Sequence, residues 1–196
     1  MENKINSVSG FLGEILDKTQ LNFEPPLKIR DYNDPILRQK CENFNFKNPQ
    51  IDIVQFSTDL VETMYKKRGI GLAANQVGVP LKIFAMHADP ALVVINPRII
   101  EVSEEVVLLE EGCLSYPGLY VKVKRPLWIK ARFNYPNGQA KTFRFEGMTA
   151  RVFQHEFAHL EGLNMLDFTN KFYKDKAEKV LAAREKALKK IEKVIA

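Results

Sequence analysis

The spacing of apolar positions along this 196-residue chain changes from helical to alternating and back again, and those changes divide it. Ile53, Val54, Phe56, Leu60, Val61 and Met64 recur at helical intervals behind Asn48-Pro49, an N-cap and first-turn pair, and Gly69 follows the basic run Lys66-Lys67-Arg68. One helix over about 49–68 is predicted. From Leu81 to Phe145 the period becomes two, in β-rich runs at 81–86, 91–95, 106–109, 120–123 and 128–133, and Asn137-Gly138 marks a hairpin returning through Thr142 to Phe145. A helical period resumes over about 148–162 and ends at Gly162. A last helix over about 174–194 carries Ala177, Val180, Leu181, Ala187, Leu188, Ile191 and Ile195 as one apolar stripe.

Strands followed by a helix, with helices towards both ends, read as an α+β fold. Residues 1–26 look like an extension, with a short helical candidate around Phe11 to Lys18 closed by Pro25-Pro26. A main domain over 27–170 and a basic amphipathic helix over 171–196 complete the expected organisation. A length of 196 residues with 45% hydrophobic content suits one compact domain with an elaboration or two. No apolar run approaches the roughly 20 residues that span a bilayer. The acids Glu14, Asp17 and Glu24 fit neither a signal peptide nor an acid-poor transit peptide, so a cytoplasmic location is expected, without membrane attachment. Two widely separated cysteines, Cys41 and Cys113, do not form a secreted disulfide framework, which leaves Cys113 available as a thiolate. The net charge of +5 resides wholly in residues 171–196, where nine Lys or Arg face four Asp or Glu. The core therefore lacks the basic surface of a DNA reader.

The chemistry concentrates in His155-Glu156-Phe157-Ala158-His159. Two histidines four apart on a helix share one face, and a metal ion held there lowers the pKa of a bound water whose proton the intervening Glu156 can take. A catalytic site of this kind needs a third protein ligand. The chain follows the metzincin continuation as far as Gly162 but places Met165 where that pattern needs a histidine, and a thioether is a poor substitute. Glu178 sits in a charged amphipathic stretch that is better explained as a solvated face. Cys113, within Glu111-Gly112-Cys113-Leu114-Ser115, is the remaining candidate. A third segment, Gly69-Ile70-Gly71-Leu72-Ala73-Ala74-Asn75-Gln76, leaves room beside its backbone for a substrate chain and ends on a neutral amide donor.

Together, these three segments resemble the peptide deformylases, whose pattern is Gly-φ-Gly-φ-Ala-Ala-x-Gln, Glu-Gly-Cys-φ-Ser and Gln-His-Glu-φ-Asp-His (φ, apolar). The likeness runs from about Leu27 to Asp167, and Pro117-Gly118-Leu119-Tyr120 with Arg125-Pro126 resembles the plastid-type 1B branch. The resemblance implies antiparallel sheets around a central HExxH helix, and removal of the formyl group from N-formylmethionyl nascent chains. It implies Cys113, His155 and His159 as ligands of one divalent ion, Fe2+ in the cell, for which Ni2+, Co2+ or Zn2+ can substitute. Glu156 would shuttle the proton, while the Gln76 amide and the Leu114 backbone N–H would hold the oxyanion. Gly71 would pair with an extended substrate, as would the segment around Gly118 and Tyr120. Ile70 and Met148 would receive the methionine side chain, and Glu111 with Arg125 would form a supporting ion pair. The pattern's aspartate is Ala158 here, which would remove a tether to a basic residue such as Arg125 and retune the site without abolishing metal binding. A catalytically impaired binder of peptide N-termini and a metalloprotease are the rival readings. The basic terminal helix is expected to pack its apolar stripe on the domain or a partner with its lysines in water, and a contact with ribosomal RNA is the sharper alternative.

Overall fold

The computed structural model describes residues 25–195, so the helical candidate at 11–18 lies outside the described residues. Three α-helices, α1 (Ile53–Lys66), α2 (Gly147–Leu160) and α3 (Lys171–Ile195), accompany seven strands: β1 (Gly71–Ala73), β2 (Ile83–Met86), β3 (Leu92–Val102), β4 (Val106–Cys113), β5 (Tyr116–Pro126), β6 (Trp128–Asn134) and β7 (Ala140–Glu146). The strands form an antiparallel five-stranded sheet in the order β1-β2-β3-β6-β7 and a separate β4-β5 ribbon. This is the α+β architecture expected, with α2 at its centre.

Alternation along β1, β2 and β3 sends successive side chains to opposite faces of the large sheet, and both faces are buried. Leu72, Ile83, Ala85, Val93 and Ile95 pack with Phe56, Leu60, Val61 and Met64 of α1. Ala73, Phe84, Met86 and Val94 join Ile129, Ala131 and Phe133 against Ala150, Phe153 and Leu160 of α2. The metal-motif helix is thus seated on a sheet whose other face is held by α1. A third core lies under the ribbon, where Tyr116, Leu119, Val121 and Val123 meet Met165, Leu166, Ala177 and Leu181.

Several boundaries differ from the sequence expectation, each for a local reason. Helix α1 starts at Ile53 rather than near Pro49, because the Asp52 carboxylate accepts from the backbone N–H groups of Val54 and Gln55 at 3.0 and 3.1 Å and caps the helix there. Its end is set by Arg68, whose φ of 57° lies in the left-handed region, and not by Gly69. Arg68 N donates to Tyr65 O and Gly69 N to Met64 O, the paired bonds of a Schellman stop. The small-residue run contributes the short strand β1 followed by a 3-10 turn, Ala74–Val77. Among the described residues of the α3 stripe, Ala177 and Leu181 are buried, while Val180, Leu188 and Ile191 are 42%, 51% and 54% exposed.

Phe153 is the aromatic hub under the metal helix, fully buried, with ring centroids 5.0 Å from both Phe84 and Phe145. Phe153→Ala is expected to destabilise the fold by about 3–5 kcal/mol in a denaturant titration. A loss below about 1 kcal/mol would mean that this core tolerates the cavity, contrary to the packing described.

Candidate metal centre

Three elements converge on one point. Helix α2 presents His155, Glu156 and His159 from its buried face, the end of β4 brings Cys113, and the 3-10 turn after β1 brings Gln76. The Cys113 Sγ and the two imidazoles all lie within 4.8 Å of one another, with Sγ 3.2 Å from His159 Nε2. A sulfur and two imidazole nitrogens at this separation, the imidazoles buried and the sulfur half-buried, are a donor set suited to one divalent transition ion. Their fit is strengthened by the second nitrogen of His155, whose Nδ1 lies 2.9 Å from Glu111 Oε2. That contact orients the ring through Nδ1 and leaves Nε2 as the nitrogen that would face an ion shared with Cys113 and His159.

Glu111 is itself held from three sides. Arg125 donates from Nε at 2.7 Å and from Nη2 at 2.9 Å, a bidentate pair, and Arg151 donates from Nη1 at 2.9 Å. Arg151 also reaches the Val123 and Val107 carbonyls, and Arg125 the Gln154 carbonyl, so the cluster joins β4, β5 and α2. Burial favours the neutral acid, but the hydrogen bonds from His155 and Arg125 prevail and hold the Glu111 carboxyl well below the usual range. Around the metal donors the same competition takes opposite directions. Burial opposes the charged form of His155, yet its contacts with Cys113 and Glu111 raise its pKa to about 10. Burial and the charge of His155 push His159 down. Burial raises Glu156 to about 7, against the pull of His155.

Glu156 is 4% exposed, and its Oε2 has no hydrogen-bond partner among the described residues. Its other oxygen sits against Gly71, where an added Cβ would come within 2.3 Å of Oε1. Only glycine fits beside this carboxylate. Gln76 accepts from Ala73 N through Oε1 at 2.9 Å, which aims Nε2 at Cys113 Sγ, 3.3 Å away, and at Ser115 Oγ, 3.1 Å away. A cleft of about 640 Å³ opens from this point and is lined by Gly71, Gln76, Leu114 and the four more distant residues Ile70, Gly118, Tyr120 and Met148. All the site residues singled out in the sequence therefore border this cleft or belong to the cluster behind it, with Ile70, Tyr120 and Met148 exposed at its walls.

Polypeptide deformylase is the family model that matches, over residues 26–175. The chain belongs to the peptide deformylase family. It is 39% identical over 155 residues to the chloroplastic peptide deformylase 1B of Oryza sativa subsp. japonica, covering 75% of this chain and 56% of that one. It is 39% identical over 152 residues to the peptide deformylase of Desulforudis audaxviator, covering 76% and 97%. The crystal structure of Arabidopsis thaliana peptide deformylase 1B superposes with a TM-score of 0.77 at 32% identity, covering 84% of this chain and 93% of that one. The chain thus spans little more than half of the rice relative and nearly all of the bacterial one, and the 1B type expected from Pro117–Tyr120 and Arg125–Pro126 is among its matches. Deformylases are metalloenzymes, and the triad described above is the candidate ion site of this one. Among the described residues, no helix is long and apolar enough to cross a membrane.

Two features of the deformylase site were not singled out from the sequence. Arg151 is 5% exposed and shares Glu111 with Arg125, and Asn75 donates from Nδ2 to the His159 carbonyl at 2.7 Å. An arginine one turn before His155, inside the apolar run of α2, was the available signal for the first. The tether expected to be lost at Ala158 has no vacancy to match, since Arg125 is engaged by Glu111 and stacks on Phe168 at 4.6 Å.

Glu111→Gln removes the anion that the two buried guanidinium groups of Arg125 and Arg151 share. It is expected to destabilise the protein by about 3–5 kcal/mol and to weaken metal retention about 10- to 100-fold. Denaturant unfolding and chelator competition measure the two effects. Unchanged metal retention would show that Glu111 does not orient His155.

Proposed function

We propose that this protein removes the formyl group from N-formylmethionyl nascent chains and releases formate. The observation that carries the reading is the pairing of Glu156, buried with a free oxygen, with a thiolate–imidazole triad at the inner end of a cleft that borders the open edge of β1. Residues 27–170 form the catalytic unit of this proposal. Cys113, His155 and His159 would hold a divalent ion, which would supply a water of lowered pKa and polarise the formyl carbonyl. Glu156 takes the proton of the attacking water and returns it to the departing amine. The oxygen that gains charge accepts hydrogen bonds from Gln76 Nε2, already aimed at this point, and from the Leu114 backbone N–H. Gly71 pairs with the extended substrate through its backbone, Gly118 and Tyr120 border the opposite wall, and Ile70 and Met148 offer apolar surface to the methionine side chain.

The resident ion of this proposal is Fe2+, with Ni2+, Co2+ or Zn2+ as substitutes, because a His2Cys set accepts all four. Oxygen then inactivates the iron form through the metal or the thiolate. A cytoplasmic site of action is part of the same reading. The rice relative is a chloroplast protein, which makes a plastid the competing compartment.

Formate release from a formyl-Met-Ala-Ser peptide by anaerobically purified, iron- or nickel-loaded protein tests the reaction. Glu156→Ala is expected to lower kcat by about 10²- to 10⁴-fold with the metal retained. Metal-loaded, folded wild-type protein that releases no formate would leave a peptide-binding role in place of the enzyme.

We also propose that α3 contacts ribosomal RNA through Lys186, Lys189, Lys190 and Lys193, all exposed. Since Ala177 and Leu181 are buried beneath β5, deleting the helix would uncover the third core, and neutralisation of the lysines is the cleaner test. Changing all four to Gln should weaken ribosome cosedimentation at low salt while hydrolysis of a free peptide persists. Unaltered cosedimentation would remove the RNA contact.

A further inference from the structure

The outer end of the cleft carries charges that the reaction does not use. Among the described residues, strand β1 is the outer strand of its sheet and pairs with β2 on one side only. It runs from the cleft mouth at Arg68 towards Gln76 and the metal donors, and Gly71 touches Glu156. A peptide whose formyl end lies at those donors has one way to follow this open edge, antiparallel to β1, back past Ile70 and Gly69. Gly71 and Arg68 are three residues apart across a turn, so at most about 10 Å separates them, a span that the first three or four residues of an extended peptide cover before they reach Arg68 and Lys67.

Lys67 and Arg68 both line the cleft, both are exposed, and among the described residues neither forms an ion pair. The exposed acid on the facing wall, Glu110, stands directly opposite Lys122 in the β4–β5 ladder, so its charge is offset on its own side. Glu111, Arg151 and Glu156, which also border the cleft, are buried behind it. A second observation singles out Arg68. It occupies the left-handed stop of α1 at a φ of 57°, the position a glycine fills without strain, although Gly69 is its neighbour. Strain kept in an exposed side chain at the mouth of a cleft is an indication of use rather than of packing.

We infer that Lys67 and Arg68 form a cationic lip that selects substrates with acidic side chains at the third and fourth positions. The inference rests on the deformylase reading and deepens it, by naming a substrate class. Two cations at about 8 Å from a carboxylate in water favour the acidic peptide over a neutral one about fivefold, and disfavour a lysine peptide by a similar factor. Exposed charges at that range are largely screened once the Debye length falls to about 3 Å near 1 M salt.

The test compares kcat/KM for three C-terminally amidated peptides, formyl-Met-Ala-Asp-Asp, formyl-Met-Ala-Ser-Ser and formyl-Met-Ala-Lys-Lys, at low and high salt with metal-loaded protein. The order acidic, neutral, basic is expected at low salt, collapsing at high salt. In Lys67→Gln/Arg68→Gly the acidic-to-neutral ratio should fall towards one, while Tm is held or raised, because glycine takes this φ without strain. A merely structural Arg68 would leave that ratio where it was. Equal kcat/KM for all three peptides at low salt, with the neutral peptide turned over, would overturn the lip alone. Formate from none of them would overturn the deformylase reading, and calorimetric binding of the same peptides would then judge the lip by itself, with equal affinities rejecting it.

Discussion

One buried carboxylate holds the centre together. Glu111 lies where β4, β5 and α2 meet, and it is the shared acceptor of Arg125, Arg151 and His155. An isolated charge at 5% exposure would be costly to bury, and four charge-assisted hydrogen bonds from three partners offset that cost only while all partners stay in place. The cluster therefore couples local order to the fold. The ribbon cannot shift against α2 without stranding a charge, and that same contact fixes the orientation of the His155 ring. Metal geometry and sheet-on-helix docking are, in this molecule, one constraint.

The parts of the site that were legible in the sequence are those whose chemistry depends on local spacing. His155, Glu156 and His159 share a face because a helix repeats every 3.6 residues, and no tertiary information is needed to see it. Cys113 and Gln76 were legible as motif residues, but their approach to α2 depends on strands that pair over long separations. Arg151 was overlooked because a lone arginine in an apolar run reads as a helix-surface residue, and only the buried carboxylate of β4 explains it. At the elements, periodicity located most strands and all three described helices, while the boundaries followed single side chains that it does not weigh. Asp52 moved the start of α1, and Arg68 took the left-handed stop that Gly69 was expected to supply. The stripe of α3 was correct as a pattern and incomplete as a prediction of burial, since the ribbon is long enough to cover only Ala177 and Leu181.

Position 158 shows why a departure from a family pattern has to be weighed against its surroundings. A carboxylate there would have to compete with Glu111 for Arg125, whose Nε and Nη2 are bound by Glu111 and whose Nη1 reaches the Gln154 carbonyl. Alanine at 4% exposure adds no second buried charge, and Arg125 already has its acceptors in Glu111 and the Gln154 carbonyl. Arg151 supplies a further donor to Glu111 from α2 itself, so the helix remains tied to the ribbon through its own side chain.

The open edge of β1 brings the stability and recognition arguments together. An unpaired strand edge is a template for association with other chains, and folds limit that hazard by keeping such edges short, irregular or charged. This edge is three residues long, turns at once into a 3-10 helix, and is preceded by Lys67 and Arg68. Gly71 cannot carry a side chain because Glu156 occupies the space, which also weakens the strand as a partner for a second sheet. The features that make β1 a poor edge for aggregation are those that suit it to a passing peptide: backbone groups free on one side, no side chain between the substrate and the carboxylate, and positive charge where the chain leaves the cleft. Under the proposed lip, the charges at the mouth act on an approaching chain before any backbone hydrogen bond is made.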